Sequence, residues 1–231
     1  MKRSENTTPH LASDYNSQIN AIIPFYESFH QETVNIVKDM GLKPKTWLDT
    51  GCGTGSLIKK AIKEFPSTKF ILCDPSAEML SQAHKKLKNI HPPEKLLFLK
   101  PLPTQDFPPG LCAQPDVITA IQSHHYLSEN DRKKTIRSCY NLLKEGGVYI
   151  TFENIRPTTE KGIEIGIEHW KNFQLQQLRD PNTVKSHLER FDQEFFPITV
   201  EDHLFLLRET GFRVVEILWY AYMQAGFYAI K

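Results

Sequence analysis

The chain has 231 residues, 40% hydrophobic and 24% charged, with a formal net charge of +1. That is enough apolar material for one sizeable core, and the interspersed charges exclude the long basic or acidic tail that advertises nucleic acid. Cys52, Cys73, Cys112 and Cys139 lie far apart with no C-x-x-C pair, which points to reduced thiols and against a zinc site or disulfide framework. Met1 to His10, "MKRSENTTPH", has no apolar run behind its basic residues, and no later stretch is long and apolar enough to span a bilayer, so the expectation is a soluble, cytoplasmic protein without a membrane partner.

In chain order, Phe29, Thr33, Ile36, Val37 and Met40 repeat at helical spacing up to Gly41, and "TWLD" then reads as a buried strand. Leu57, Ile58, Ala61, Ile62 and Phe65 restore the helical period until Pro66, "KFILCD" is a second strand, and Ala77, Leu80, Ala83 and Leu87 mark the next helix. "KLLFLK" and "DVITAI" are strands three and four. Ser128 with Asp131 starts a helix carrying Ile136, Tyr140 and Leu143, closed by Gly146 and Gly147 before the strand "GVYITFE". Five βα units imply a parallel sheet covered by helices.

Residues 154–198 break the pattern: two helical stretches and no convincing strand, read as an inserted cap. Ile163, Ile167, Trp170 and Leu178 form one helical face and Val184, Leu188 and Phe191 another, joined by the turn signal "RDPN" about which the cap is expected to move. Trp170, Phe173, Phe191, Phe195 and Phe196 supply the cap's own core. Thr199 with Asp202 opens a capped helix ending at Gly211, and "FRVVEILWY" and "GFYAIK" close the chain as strands.

"TWLDTGCGTGSL" is the informative stretch. Gly51, Gly53 and Gly55 in a strand-to-helix turn bare the backbone for a ligand while the helix N-terminus supplies donors. A phosphate-binding turn reads G-x-G-x-x-G; here the spacing is G-x-G-x-G, and Asp49 would repel a pyrophosphate but suit a cationic or ammonium-bearing ligand.

D-x-G-x-G-x-G after a first strand resembles motif I of the class I S-adenosylmethionine-dependent methyltransferases. The resemblance runs over nearly the whole chain, through the acidic end of strand two, "HHYL", "LLKEGGVYI" and the terminal strand pair. "YNSQINAIIPFY" and "VEDHLFLLRETGFRVVEILW" are most similar to the carboxy-S-adenosylmethionine synthase-like branch. The resemblance implies an α/β fold, a Rossmann-like seven-stranded, mostly parallel sheet with helices on both faces and a helical cap insertion over residues 154–198. It implies one domain over residues 1–231, with a leading segment over residues 11–30 covering the cofactor.

It also implies S-adenosylmethionine as cofactor, with Asp49 and the turn Gly51, Cys52, Gly53 and Gly55 at its methionine part, Asp74 at the ribose with Pro75 next to it, Met79 flanking the adenine, and Ile121 and Gln122 at the carboxyl end of strand four. Relatives usually carry Gly-Asp after strand three at the adenine amino group. This chain reads "FLKPLPTQDF", so the contact falls to the Leu102 main chain or to Thr104 and Gln105. His124 is the catalytic candidate as general base, and His125 is structural. Tyr15, Tyr26, Ser123, Glu153 and Arg156 are candidates for the acceptor side. An adjacent His pair without a carboxylate at ligand spacing gives no metal site.

The expected activity is methyl transfer to a small-molecule acceptor, with RNA as the other acceptor class and a monomer or homodimer as the state. Two alternatives are a carboxy-S-adenosylmethionine synthase-like enzyme serving tRNA wobble-uridine modification, and a non-catalytic S-adenosylmethionine-binding protein. The synthase holds its new carboxylate with a cap arginine, and Leu188 stands at that position here with Arg190 two places later. The clusters Lys85, Lys86 and Lys88, and Arg132, Lys133, Lys134 and Arg137, read as solvated faces.

Overall fold

The computed structural model describes residues 15–89 and 93–231. Two leading helices, α1 (Tyr15–Ile22) and α2 (Tyr26–Asp39), precede β1 (Thr46–Thr50), α3 (Ser56–Glu64), β2 (Lys69–Cys73), α4 (Ala77–Leu87), β3 (Leu96–Phe98), β4 (Val117–Ile121), α5 (Glu129–Leu142) and β5 (Val148–Asn154). The cap contributes α6 (Glu160–Gln176) and α7 (Pro181–Leu188), and α8 (Val200–Thr210), β6 (Val214–Ala221) and β7 (Gln224–Ile230) complete the chain. The seven strands form one sheet in the order β3-β2-β1-β4-β5-β7-β6. Strands β1 to β5 pair in parallel, and β7 runs antiparallel to both of its neighbours.

The seven-stranded, mostly parallel sheet agrees with the sequence reading. The count of five βα units does not, because the crossover from β3 to β4 carries a single 3-10 turn, Thr104–Asp106, where a helix would stand. Pro101, Pro103, Pro108 and Pro109 crowd that stretch, and each removes a donor and restricts the residue before it.

Alternation along each strand feeds two cores. Trp47 packs with Phe29, Ile58 and Phe70 on one face, whereas Leu48 packs with Ile71, Ile118 and Tyr149 on the other. Helix starts follow the capping chemistry: Ser76, Ser128, Thr159, Asp180 and Thr199 each accept a backbone N–H from three residues on, and Thr199 with Asp202 forms the full reciprocal box.

The cap has its own core of Trp170, Val184, Leu188 and Phe195, with Phe173 and Phe191 packed against it and Phe196 left exposed. Leu178 does not share the face of Ile163, Ile167 and Trp170: α6 ends at Gln176, and Leu178 has φ +59° and is 93% exposed. The cap is tied to the leading helices, since Trp170 Nε1 donates to the Ile22 carbonyl at 2.6 Å, and to the sheet edge, since the Phe196 N–H donates to the His125 carbonyl at 2.7 Å. Arg132, read as solvated, is buried and donates to the Phe196 carbonyl. Its guanidinium secures the cap where the sequence suggested only a charged face.

Candidate active site

Strand order reverses between β1 and β4, and the crevice outside the carboxyl ends of those strands is where open α/β sheets bind ligands. A cavity of about 310 Å³ lies there, against Asp49, the Gly51 to Thr54 turn, Asp74 and the Ile121 to His124 segment. Among the described residues its wall carries two carboxylates and no lysine or arginine.

Asp74 follows β2 and turns both oxygens back to the chain. Oδ2 accepts the Gly53 N–H at 2.9 Å and Oδ1 the Ser76 N–H at 2.8 Å. Burial raises the carboxyl above its usual range while those two donors oppose the rise. Asp49 is more secluded. Its Oδ1 accepts from Thr119 Oγ1 at 2.6 Å, and that hydroxyl in turn accepts from Trp47 Nε1 at 3.0 Å. Burial pushes Asp49 up to about 7, against the pull of Thr119 and with a further push from Asp74.

The glycine turn is shaped by its surroundings as well as by any ligand. Gly51 has φ +66°, and a Cβ there would stand 2.5 Å from Ser123 Cβ, so the β1 turn and the β4 loop meet only because position 51 has no side chain. At Gly53 a Cβ would project into open space. Gly55 does not reach the cavity; it caps α3, where a Cβ would press on Leu87 and Ala83 of α4.

Cys52, Pro75, Met79, Ile121, Gln122, Ser123, His124 and Tyr26 all lie on the cavity wall, as do Thr104 and Gln105. Leu102 is not on the wall. Its side chain packs into the second core, its N–H donates to the Asp74 carbonyl and its carbonyl accepts from Cys73 Sγ, so Thr104 and Gln105 stand in its place. The Tyr15 side chain lies outside the described residues. Gln122 has φ +54° and donates from Nε2 to Gln224 Oε1 at 2.9 Å.

Glu153 and Arg156 are corrected as wall residues. Glu153 is buried beneath the β4 loop, where its carboxylate accepts from the N–H groups of His124 and His125, from Thr151 Oγ1 at 2.7 Å, and pairs with His125 Nδ1 at 2.7 Å. Burial alone would raise Glu153, but these partners win and hold it down at about 2. Arg156 turns outward, paired with Asp192 and Glu160.

The Glu153 clamp fixes the 3-10 turn His124–Tyr126 and thereby presents His124 to the cavity. His124 Nδ1 is 3.1 Å from Tyr149 Oη, and Nε2 is buried without a hydrogen-bond partner among the described residues, as is Ser123 Oγ. Burial lowers His124 to about 4, with Arg132 and His125 adding to the fall and Glu153 opposing it, so the ring is neutral at pH 7. Among the described residues no group of three His, Cys, Asp or Glu side chains converges as a metal site.

Wall residues absent from the sequence reading include His30, Ser76, Tyr126 and Leu127. His30 stands one helical turn beyond Tyr26 on α2, a spacing that sequence offers as a shared face. Tyr126 directly follows the His pair, and its hydroxyl is hydrogen-bonded by the Arg190 side chain from the cap.

Residues 48–149 match the family model described as a methyltransferase domain. The chain is 22% identical to the carboxy-S-adenosyl-L-methionine synthase of Nautilia profundicola over 96% of this chain and 92% of that protein. It superimposes on magnesium protoporphyrin IX methyltransferase from Synechocystis, solved with S-adenosylhomocysteine bound, with a TM-score of 0.65, 15% identity, and coverage of 92% of this chain and 86% of that one. Human N-acetylserotonin methyltransferase, solved with S-adenosylmethionine, gives a TM-score of 0.55 and 17% identity over 98% of this chain and 60% of that one. At these identities the solved structures establish the fold.

Proposed function

We propose, on the premise that this chain is a class I S-adenosylmethionine-dependent methyltransferase of the carboxy-S-adenosylmethionine synthase branch, that it transfers a methyl group to a small-molecule acceptor entering beside His124. The observation that carries the reading is the charge of the cavity: two carboxylates, no lysine or arginine among the described residues, and three unpartnered polar atoms on the wall, Gln122 Oε1, Ser123 Oγ and His124 Nε2, suit a ligand bearing an ammonium, a sulfonium and hydroxyl groups. S-adenosylmethionine, when bound, supplies an activated methyl on a sulfonium, so the reaction is an in-line displacement that demands positioning above all.

The residues divide that task. Asp49 and the turn Gly51 to Gly53 face the methionine part, and Asp74 faces the ribose hydroxyls with the lone pairs that Gly53 and Ser76 leave free. Met79 flanks the adenine, with Thr104 and Gln105 on its edge. His124 faces the acceptor. A ring held near 4 keeps a proton poorly, so Nε2 orients an acceptor hydroxyl or amine by accepting its hydrogen bond and relays the proton only in passing. Tyr26 and Ser123 line the acceptor side, and residues 154–198 act as its cap, with 11–30 as the leading cover; residues 11–14 of that cover lie outside the described residues.

One observation favours a second reading, a carboxylated cofactor. Leu188 is buried in the cap core, but Arg190 bonds the hydroxyl of Tyr126 on the cavity wall, so a cation that could hold a carboxylate stands one residue behind the cavity. Mass spectrometry of the ligand retained through purification, with calorimetry against S-adenosylhomocysteine, tests both. S-adenosylmethionine or its demethylated product on the protein supports methyl transfer, a carboxylated cofactor supports the second reading, and failure to bind S-adenosylhomocysteine overturns both.

A further inference from the structure

A second cavity, of about 390 Å³, opens beside the first and shares Tyr26, His30 and Ser56 with it. It is built from four helices. Ser56, Lys59, Lys60 and Lys63 recur at i, i+3, i+4 and i+7 along α3, so they form one stripe, while Leu57, Ile58, Ala61 and Ile62 turn into the core. Lys86 reaches in from α4, and α1 with α2 closes the far side through Asn16, Asn20, Glu27 and His30.

Among the described residues, four lysines therefore face one carboxylate, Glu27, across a concave wall. Glu27 is engaged by Asn20 Nδ2 at 3.4 Å. Lys86 Nζ is half-buried and, among the described residues, bonded only to neutral acceptors: Asn16 Oδ1 at 2.8 Å, Thr54 Oγ1 at 2.8 Å and Ser56 Oγ at 2.9 Å. Burial, then Lys59, lowers its ammonium to about 8. His30 is held neutral, lowered to about 3 by burial and then by Lys60 and Lys86. Among the described residues no carboxylate pairs with Lys59, Lys60, Lys63 or Lys86. Like charges at this helical spacing repel one another, and an oxyanion seated between them would reverse the sign of every one of those interactions.

We propose that this second cavity binds the phosphate-class anionic group of a small molecule, whose uncharged part continues past Tyr26 and His30 into the first cavity as the methyl acceptor. Its volume is that of a small-molecule pocket. The shared wall lets one ligand occupy both spaces, and the charge separates their tasks, with acids around the cationic cofactor and lysines around the acceptor's anion. The acceptor role rests on the methyl-transfer reading, whereas the anion site stands on the lysines.

The test uses the full-length protein and inorganic pyrophosphate as probe, titrated by calorimetry at pH 7 with and without saturating S-adenosylhomocysteine. The expected result is sub-millimolar pyrophosphate binding that weakens at least tenfold in the Lys59→Gln/Lys63→Gln double variant and weakens with added salt, while S-adenosylhomocysteine affinity in that variant stays within twofold. Both substituted lysines are exposed, so folding, checked by circular dichroism, should be retained. If S-adenosylhomocysteine displaces pyrophosphate one for one, the lysines serve the cofactor's own carboxylate and the proposal fails. It fails equally if pyrophosphate does not bind below 10 mM, about 2.7 kcal/mol by the usual affinity conversion, or if a short single-stranded RNA binds this stripe more tightly than pyrophosphate does. Loss of S-adenosylhomocysteine binding in the parent protein, with pyrophosphate binding intact, would refute the methyl-transfer reading and leave the anion site standing.

Discussion

Asp49 offers the sharpest quantitative handle, because its environment sets a pH dependence that few other groups share. The carboxyl is raised from 3.8 to about 7 in the folded, ligand-free protein, with burial as the largest cause. The native state therefore holds a proton that the unfolded chain releases between these two values. By linkage, the stabilisation is complete below about pH 4, and is lost as pH rises through about 7. About three pH units at about 1.4 kcal/mol each give a swing of about 4 kcal/mol.

Asp49→Asn cannot titrate, yet its carbonyl can still accept from Thr119 Oγ1. In urea unfolding at pH 5, 6, 7 and 8, the wild type should lose stability relative to Asp49→Asn progressively between pH 5 and 7, and the difference should level off by pH 8. Taking the difference between the two proteins removes the opposing contributions of His30, His124 and His203, whose lowered values act equally in both. Saturating S-adenosylhomocysteine, which brings an ammonium to the cavity, should flatten the wild-type loss. Parallel pH profiles for the two proteins would refute the reasoning, since the Asp49 proton would then not be linked to folding.

Asp74→Ala should weaken S-adenosylhomocysteine binding by roughly 2 kcal/mol or more, about thirtyfold, in calorimetry; an unchanged affinity overturns the ribose assignment. Gly51→Ala drives a Cβ against Ser123 at a positive φ, so thermal or urea unfolding should show a loss of about 1–3 kcal/mol; a neutral result would show that the β4 loop yields. Glu153→Gln should be destabilised at neutral pH, and because the Glu153 value is lowered from 4.5 to about 2, the wild-type advantage should fade as pH drops through that window. An advantage independent of pH there would remove Glu153 as the charged clamp. Trp170→Phe leaves the Ile22 carbonyl without its donor and should cost about 1–3 kcal/mol in urea unfolding; no loss would show the cap to be independent of the leading helices.

Element types were largely legible in the residues, because periodicity and punctuation are local. Ser128 and Thr199 announce helices through side-chain acceptors three residues ahead of a donor, and Gly211 ends α8 at φ +115°. The missing helix between β3 and β4 was not read, although the prolines that stand there carry the signal. Asp49, Gly51, Gly53 and Asp74 could be picked out because a bared strand-to-helix turn and an acid after the next strand are sequence patterns with a direct chemical purpose.

Relations between distant segments were decided by packing. Glu153 and Arg156 both looked like polar residues leaving β5 for the site; the antiparallel pairing of β5 with β7 and the approach of the β4 loop buried the first under the His pair, and Asp192 drew the second outward. Arg132 and Lys86 sat in runs that read as solvated charge, yet one secures the cap through a backbone carbonyl and the other joins three lysines of α3 in one cavity. The physical reason is common to these cases. A residue's periodicity tells which way it points from its own element, but the free energy of a charge depends on what a remote part of the chain brings against it, and only the assembled fold supplies that partner.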